Sequence, residues 1–175
     1  MKIILKIFKS EFVKNVLTLM TGTTIAQAIP IAVTPILTRI YSPDDFGVFA
    51  LFIAITAVAG AIANGQYEQA ILLPKSDNDA INLVILGVVI ATSFSLVLLV
   101  IVLFFKTDIS NLFDNKEIEN WLFMIPVSTL LVGIYNSLNF FNIRKKKFKN
   151  VSVSLVSRSI SLSSSQLLIG LITLG

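Results

Sequence analysis

The chain has 175 residues, of which 55% are hydrophobic and only 14% are charged, and its mean hydropathy is +0.86. A soluble domain has no way to bury that much apolar surface, and apolar runs of about 20 residues indicate membrane-spanning helices. The sequence contains no Cys and no His, which excludes disulfides and thiol nucleophiles and removes the commonest metal ligands and general base. We therefore expect neither a metal site nor a cofactor.

Residues 1–15 carry an amphipathic pattern. Ile4, Phe8 and Phe12 fall on one helical face, and the lysines among these residues lie largely away from it. This predicts a short interfacial helix on an anionic leaflet. A secretory signal peptide is the alternative, but no small-residue cleavage site follows, and the next apolar stretch is long enough to be a full span.

The first span is predicted from about residue 16 to residue 38. Pro30 and Pro35 lie within it, and we expect them to kink the helix or to loosen its hydrogen bonds. Gln27 shares a helical face with several threonines. Two interpretations stay open: this face bonds neighbouring helices, or it lines a polar cavity, as the broken helices of transporters do.

A tight polar turn separates the first span from the second. Arg39 lies on the approach to it, and Pro43 cannot continue the helix. The carboxylate of Asp44 or Asp45 can cap the following helix by accepting its free N–H groups. The sequence therefore predicts a helical hairpin at this point.

The second span is predicted from about residue 46 to residue 69. Alanines recur along it in alternating steps of four and three, a pattern that lets helices pack closely within a membrane. The same stripe ends at Asn64 and Glu68. These two side chains fit close packing less well, and we expect them to face a wet space.

The connection at residues 70–80 contains Pro74, which breaks the helix, and either Ser76 or Asp77 is predicted to cap the next one. The third span, from about residue 81 to residue 105, is the most uniformly apolar. We expect it to face lipid over much of its surface.

A mildly acidic loop at residues 106–120 leads to Trp121, which suits a membrane–water interface. The fourth span, from about residue 121 to residue 143, carries Asn139 among several polar residues near one face. The run RKKKFK follows it. We interpret this run chiefly as an orientation signal, and it is also compatible with binding to anionic phospholipid headgroups.

The fifth span is predicted from about residue 151 to residue 175. Ser154, Arg158, Ser161 and Ser165 step by four, three and four, so they lie along one helical face. Arg158 is about two turns past the basic run, on the order of 10 Å deep at the helical rise. It is either a functional-site residue or an arginine that snorkels back to the headgroups, and both interpretations stay open.

Basic residues are distributed unevenly between the two sides that alternating spans define. With a cytoplasmic N-terminus, the inner segments hold the four N-terminal lysines and the RKKKFK run, whereas the outer loops hold Arg39, Lys106 and Lys116. This bias predicts that the N-terminus is cytoplasmic. The predicted fold class is therefore all-α, a multi-pass transmembrane helical bundle with five spans.

Three stretches carry a resemblance to a known family: LTRIYSPDDFG, QYEQAILLPKSD and FNIRKKKFKNVSVS. They resemble the oligosaccharide flippases, the Wzx-type polysaccharide biosynthesis proteins of the multidrug/oligosaccharidyl-lipid/polysaccharide exporter superfamily. The resemblance implies a fold of about twelve or more helices in two lobes around a central cavity. The chain is similar to the N-terminal part of such a protein, and we expect it to be either part of a longer protein or a truncated product.

The same resemblance implies a function and a set of partners. The substrate of the family is a lipid-linked oligosaccharide on undecaprenyl diphosphate, moved across the bacterial cytoplasmic (inner) membrane for O-antigen, capsule or exopolysaccharide synthesis. Polysaccharide polymerase and chain-length proteins are the protein partners that it implies.

Moving a diphosphate across hydrocarbon is costly without a cationic or hydrogen-bonding cavity. Arg158 and Arg39 are the cations available for such a cavity, with the serines on the Arg158 face as further donors. Their candidate polar partners are Gln27, Asn64, Glu68 and Asn139. Glu68 is also a candidate for ion coupling, because a carboxylate near a membrane cavity can exchange a proton.

Two other classes of function remain. One is a non-transporting scaffold or assembly component of the same pathway, which a packed bundle without a cavity would favour. The other is a membrane glycosyl- or acyltransferase, which the scattered carboxylates and the absence of His make less favoured. We therefore expect no enzymatic activity. We also expect no nucleic-acid partner, because basic clusters in a membrane protein usually mark the cytoplasmic side.

Overall fold

A computed structural model describes residues 11–174, and every regular element in that range is helical. The elements, in chain order, are α1 (Glu11–Ile40), α2 (Pro43–Ile62), a 3-10 helix (Tyr67–Leu72), α3 (Asp77–Leu112), α4 (Ile118–Trp121), α5 (Met124–Arg144) and α6 (Phe148–Leu174). By length and composition, α1, α2, α3, α5 and α6 can each cross a membrane. The predicted all-α, multi-pass fold class is confirmed for the described residues.

The start of the first helix differs from that expected. α1 already begins at Glu11, so residues 11–15 are continuous with the first span, and residues 1–10 of the expected interfacial helix lie outside the described residues. α1 also continues through Pro30 and Pro35 without interruption.

The turn after α1 and the end of α2 also differ from the sequence expectation. Pro43 is the first residue of α2, which places Asp44 and Asp45 inside its first turn rather than at the capping position. There the two carboxylates complement the partial positive charge of the helix N-terminus. α2 ends at Ile62 rather than near residue 69, because Gly65 and Gln66 are both left-handed, with φ of 56° and 60°.

The chain divides into two compact units. The hairpin unit comprises Asp44–Arg144, and the paired-helix unit comprises the residues up to Pro43 and those from Lys145 onward. Each unit has its own internal packing, and the two units are described separately below.

In the hairpin unit, α3 and α5 run antiparallel. Ser95 on α3 donates from its Oγ to the carbonyl oxygen of Pro126 at the start of α5, at 2.7 Å. An apolar cluster packs α2, α3, α4 and α5 together near the start of α2; its buried members are Val48, Val102, Ile118, Leu122 and Ile125. α3 has the highest hydropathy of the five candidate spans, and 17% of its most apolar window is buried, so most of that surface is available to lipid.

In the paired-helix unit, α1 and α6 run parallel. Contacts join the early part of α1 to the early part of α6 and the end of α1 to the later part of α6. The N-termini of the two helices therefore lie at the same end of the unit.

Candidate functional site

Three hydrogen bonds join α6 to the α1 segment. The Ser152 Oγ donates to the Thr18 carbonyl oxygen at 2.9 Å, and the Ser159 Oγ donates to the Ala26 carbonyl oxygen at 2.6 Å. Just past the end of α1, the Tyr41 hydroxyl donates to the carbonyl oxygen of Gln166 at 2.8 Å. Small polar side chains on α6 therefore bind backbone oxygens directly, which requires the two helices to lie close together.

Pro30 explains why one of these bonds forms where it does. A proline has no N–H, so the carbonyl oxygen four residues earlier, that of Ala26, lacks its usual helical donor. The Ser159 hydroxyl supplies a donor to that same oxygen. Pro30 thus creates an acceptor on α1, and α6 satisfies it.

Two glycines mark the closest approaches within this pair. A Cβ added to Gly22 would lie 2.5 Å from the Cβ of Ser152, and one added to Gly170 would lie 2.6 Å from the Cγ2 of Ile40. Both distances are too short for carbon atoms in contact. The parallel packing of α1 on α6 therefore depends on glycine at these two positions.

The face of α6 that carries Arg158 points away from this contact. Ser152, Ser159 and Ser163 are buried, whereas Arg158 and Ser161, about half a turn round the helix, are exposed. Ser165 is exposed on the same side. α6 therefore has two polar faces, one that binds α1 and one that does not.

Ser154 belongs to the Arg158 face and is half-buried, and its Oγ donates to the Val151 carbonyl oxygen of its own helix at 2.9 Å. Arg158 is ten residues after the start of α6 at Phe148, about 15 Å along the axis at the helical rise. In residues 11–174, no other charged residue lies so far from the ends of its helix.

The candidate residues of α1 lie on its exposed surface. Gln27 is exposed in the middle of the helix, and Arg39 is exposed in its last turn. At that position the guanidinium complements the negative end of the helix dipole. Arg39 is thus close to the end of its span rather than inside it.

Asn64, by contrast, is buried in the hairpin unit, with 1% of its surface exposed. Its Nδ2 donates to the Gly133 carbonyl oxygen at 2.9 Å and to the Ser137 Oγ at 2.7 Å. The Nδ2 also lies 3.5 Å from the position of a Cβ added to Gly87 on α3. The expectation that Asn64 faces a wet space is therefore wrong: it closes the packing of the α2 end against α3 and α5.

Glu68 and Asn139 share one feature with Asn64, whose Oδ1 is also buried without a hydrogen-bond partner. Glu68 lies on the 3-10 helix rather than in a membrane span, and Asn139 lies on α5. The Oε2 of Glu68 and the Oδ1 of Asn139 are each buried without a hydrogen-bond partner. Of the nine candidate residues, the structure places Asn64, Glu68 and Asn139 in the hairpin unit and the other six in the paired-helix unit.

Arg144 is a residue whose role the sequence did not indicate. Its guanidinium donates to the carbonyl oxygens of Pro74 and Ser76, at 2.5 and 3.1 Å, and lies 3.6 Å from the Asp77 carboxylate. Only 12% of its side chain is exposed. The first residue of the RKKKFK run therefore holds the connection between the 3-10 helix and α3, and the exposed positive charge begins at Lys145.

The N-cap of α3 lies in the same connection and is Ser76, as one of the two sequence alternatives predicted. Its Oγ accepts a hydrogen bond from the Asp79 N–H at 3.1 Å and donates to the Asp79 carboxylate at 2.7 Å. These paired bonds fix the start of α3 beside Arg144.

A groove of about 900 Å³ runs between the first halves of α1 and α6. Aliphatic and hydroxyl-bearing side chains line it in equal number, together with one glycine, and Lys14 and Lys149 lie near the ends where the two helices begin. Arg158 does not line it. Ser161 of the Arg158 face does line it, so the groove borders that face, and Arg158 itself lies outside the groove.

The described residues define a multi-pass helical membrane protein whose polar groups lie on helix faces and in helix connections. Within residues 11–174, no group of His, Cys, Asp and Glu side chains is arranged to hold a metal ion. The chain belongs to the polysaccharide biosynthesis protein family, whose family model matches residues 36–175. Comparisons with individual curated proteins and with solved structures gave no match. The family suggested by the three sequence stretches is thus confirmed, and it supports a role in polysaccharide biosynthesis.

Proposed function

We propose that the protein is a flippase that moves a lipid-linked oligosaccharide, carried on undecaprenyl diphosphate, across the bacterial cytoplasmic membrane for surface polysaccharide synthesis. Family membership supports the pathway, and five helices able to span a membrane support an integral membrane location. The substrate is an amphiphile, so its carrier must offer polar groups at membrane depth.

Arg158 is the observation that carries this proposal. It lies about 15 Å along α6 at the helical rise, on a face that also presents Ser161 and Ser165 and that α1 leaves uncovered. Arginine can grip phosphate oxygens through two parallel hydrogen bonds, and such bonds are stronger away from bulk water. The serine hydroxyls on the same face add donors for the remaining oxygens.

The parallel pairing of α1 with α6 supports the proposed orientation. Because both helices begin at the same end of their unit, Lys14 and Lys149 mark one side of the membrane together. Basic residues are concentrated in cytoplasmic segments of membrane proteins. We assign this end to the cytoplasm, which places Arg158 in the cytoplasmic half of the bilayer.

Substitution of Arg158 in the protein at its normal expression level tests the proposal. Arg158→Ala should abolish surface polysaccharide. Arg158→Lys should restore only part of it, because lysine keeps the positive charge but lacks the planar guanidinium that makes two parallel hydrogen bonds. Surface polysaccharide is measured by immunoblotting, and membrane abundance of each variant is measured in parallel. Lys147→Ala, which removes an exposed charge from the neighbouring loop, is the matched control and should export normally.

Two results would contradict the assignment of Arg158. If lysine serves as well as arginine, the side chain snorkels to headgroups and does not grip the diphosphate. Full export by Arg158→Ala, with the protein present in the membrane, would remove Arg158 from the mechanism and favour the scaffold role instead.

A further inference from the structure

We propose that the groove between the first halves of α1 and α6 binds one anionic phospholipid, with an acyl chain along the groove and the phosphate at Lys14 and Lys149. Arg158 does not line this groove, although Ser161 at its far end also belongs to the Arg158 face, and the site does not depend on the transport proposal. Its ligand would be a structural lipid of the leaflet in which the two helices begin.

The walls of the groove suit a hydrocarbon chain. Leu17 and Ile25 line it on the α1 side, and Val153, Val156 and Ile160 line it on the α6 side. Gly22 packs directly on Ser152 within the groove. The Ser152 hydroxyl donates to the Thr18 carbonyl oxygen and the Thr18 hydroxyl donates to the Lys14 carbonyl oxygen, so both of these donors in the lining are already used.

The length of the groove matches one leaflet. From Lys149 to Ser161 the α6 wall extends about 18 Å at the helical rise, and from Lys14 to Ile25 the α1 wall extends about 16 Å. Half of the hydrocarbon core of a bilayer is about 15 Å. A lipid whose headgroup lies level with the two lysines would therefore place its chain along the whole groove.

The charge of the lining selects the headgroup. Among the described residues, Lys14 and Lys149 are the charged side chains that line the groove, and none of the described carboxylates lines it. Two ammonium groups attract a phosphate whose charge is not neutralised within the same headgroup, and each basic residue near an anionic surface strengthens that attraction. Phosphatidylglycerol should accordingly be held in preference to phosphatidylcholine.

Native mass spectrometry of the protein in mild detergent tests the site, with phosphatidylglycerol or phosphatidylcholine added after delipidation. We expect the protein to retain one phosphatidylglycerol and to retain phosphatidylcholine much more weakly. In Lys14→Gln/Lys149→Gln, the apparent affinity for phosphatidylglycerol should fall by about tenfold to thirtyfold. The matched control, Lys75→Gln/Lys147→Gln, removes two exposed lysines outside the groove and should bind as before.

Two further variants separate the groove from its surroundings. Val156→Phe, which fills the groove without changing charge, should also lose the lipid, whereas Arg158→Ala should keep it. Equal retention of the two phospholipids, or equal losses in the groove and control variants, would overturn the proposal. Preferential retention of farnesyl diphosphate over phosphatidylglycerol would overturn it as well, because the groove would then hold a prenyl diphosphate.

Discussion

Ser159→Ala is the substitution that most directly tests the pairing of α1 with α6. It removes the hydroxyl that donates to the Ala26 carbonyl oxygen at 2.6 Å. Pro30 has already removed the helical donor to that oxygen, so the variant leaves a carbonyl without either partner. In Ser152→Ala, by contrast, the Thr18 carbonyl oxygen keeps the N–H of Gly22 in its own helix.

The two substitutions should therefore differ in cost although the chemical change is the same. Hydrogen bonds between membrane helices contribute about 0.6 kcal/mol on average and about 1.7 kcal/mol at most. We expect Ser152→Ala to lower the free energy of unfolding by about 0.6 kcal/mol and Ser159→Ala to lower it by about 1.5 kcal/mol. Reversible unfolding in mixed micelles, followed by circular dichroism as denaturing detergent is added, measures both.

Pro30→Ala provides the internal control, since it returns an N–H to the Ala26 carbonyl oxygen. In that background the cost of Ser159→Ala should fall to about 0.6 kcal/mol, a coupling of about 1 kcal/mol in a double-mutant cycle. Equal costs for the two serines, together with no coupling between Pro30 and Ser159, would refute the explanation given for this bond.

Two other substitutions test the connection before α3 and the orientation of the chain. Arg144→Lys should lower the free energy of unfolding by about 2 kcal/mol, because the guanidinium binds the Pro74 and Ser76 carbonyl oxygens through two separate nitrogens in a fixed plane, and lysine has a single nitrogen. An equal loss in the control Lys147→Ala would contradict this role. Because the chain has no cysteine, the single-cysteine variants Asn111→Cys and Asn150→Cys can each be labelled with an impermeant thiol reagent in intact cells. Only Asn111→Cys should react, because the proposed topology places residue 111 outside and residue 150 in the cytoplasm. Labelling of Asn150→Cys alone would reverse the proposed topology.

The structure also decides where such a reporter can be placed. Ser110 lies one residue earlier in the last turn of α3 but is 1% exposed, and its Oγ donates to the Asn115 carbonyl oxygen at 2.8 Å. A cysteine there would be protected from the reagent on either side of the membrane. Asn111 is exposed and avoids that ambiguity.

Hydrophobicity and local capping chemistry were sufficient to predict the five spans and to limit the cap of α3 to Ser76 or Asp77, because both depend on residues close together in sequence. The burial of Asn64 was not predictable in this way. α2 ends before it, since Gly65 and Gln66 are left-handed, and its amide then reaches α5. That outcome depends on the position of a helix about 70 residues away in sequence, on which local periodicity carries no information.

Arg144 and the buried serines of α6 show two different limits. Nothing within a run of basic residues distinguishes the one that binds carbonyl oxygens from those exposed to water. The stripe formed by Ser152, Ser159 and Ser163, by contrast, repeats at helical spacing and was available in the sequence. The neighbouring stripe contains the charged residue Arg158, which is the stronger signal for a functional site. Serines alone did not indicate which face of α6 packs on α1.

The parallel pairing of α1 with α6 has a consequence for biosynthesis. The serine donors are separated from their acceptors by 134 and 133 residues, about 7 to 27 seconds of translation. During that interval α1 must remain in the bilayer without α6.

Four α1 threonines have hydrogen-bond partners before α6 is synthesised, because each donates to a carbonyl oxygen of its own helix. They are Thr18, Thr23, Thr34 and Thr38. The nascent chain leaves two α1 carbonyl oxygens without a helical donor, those of Ala26 and Ile31, because Pro30 and Pro35 have no N–H. The Ala26 oxygen gains a donor only after Ser159 has been synthesised. A ribosome stalled before the Ser159 codon would hold α1 in the bilayer without α6. An insertion factor that recognises a helix with unsatisfied backbone oxygens could then bind α1.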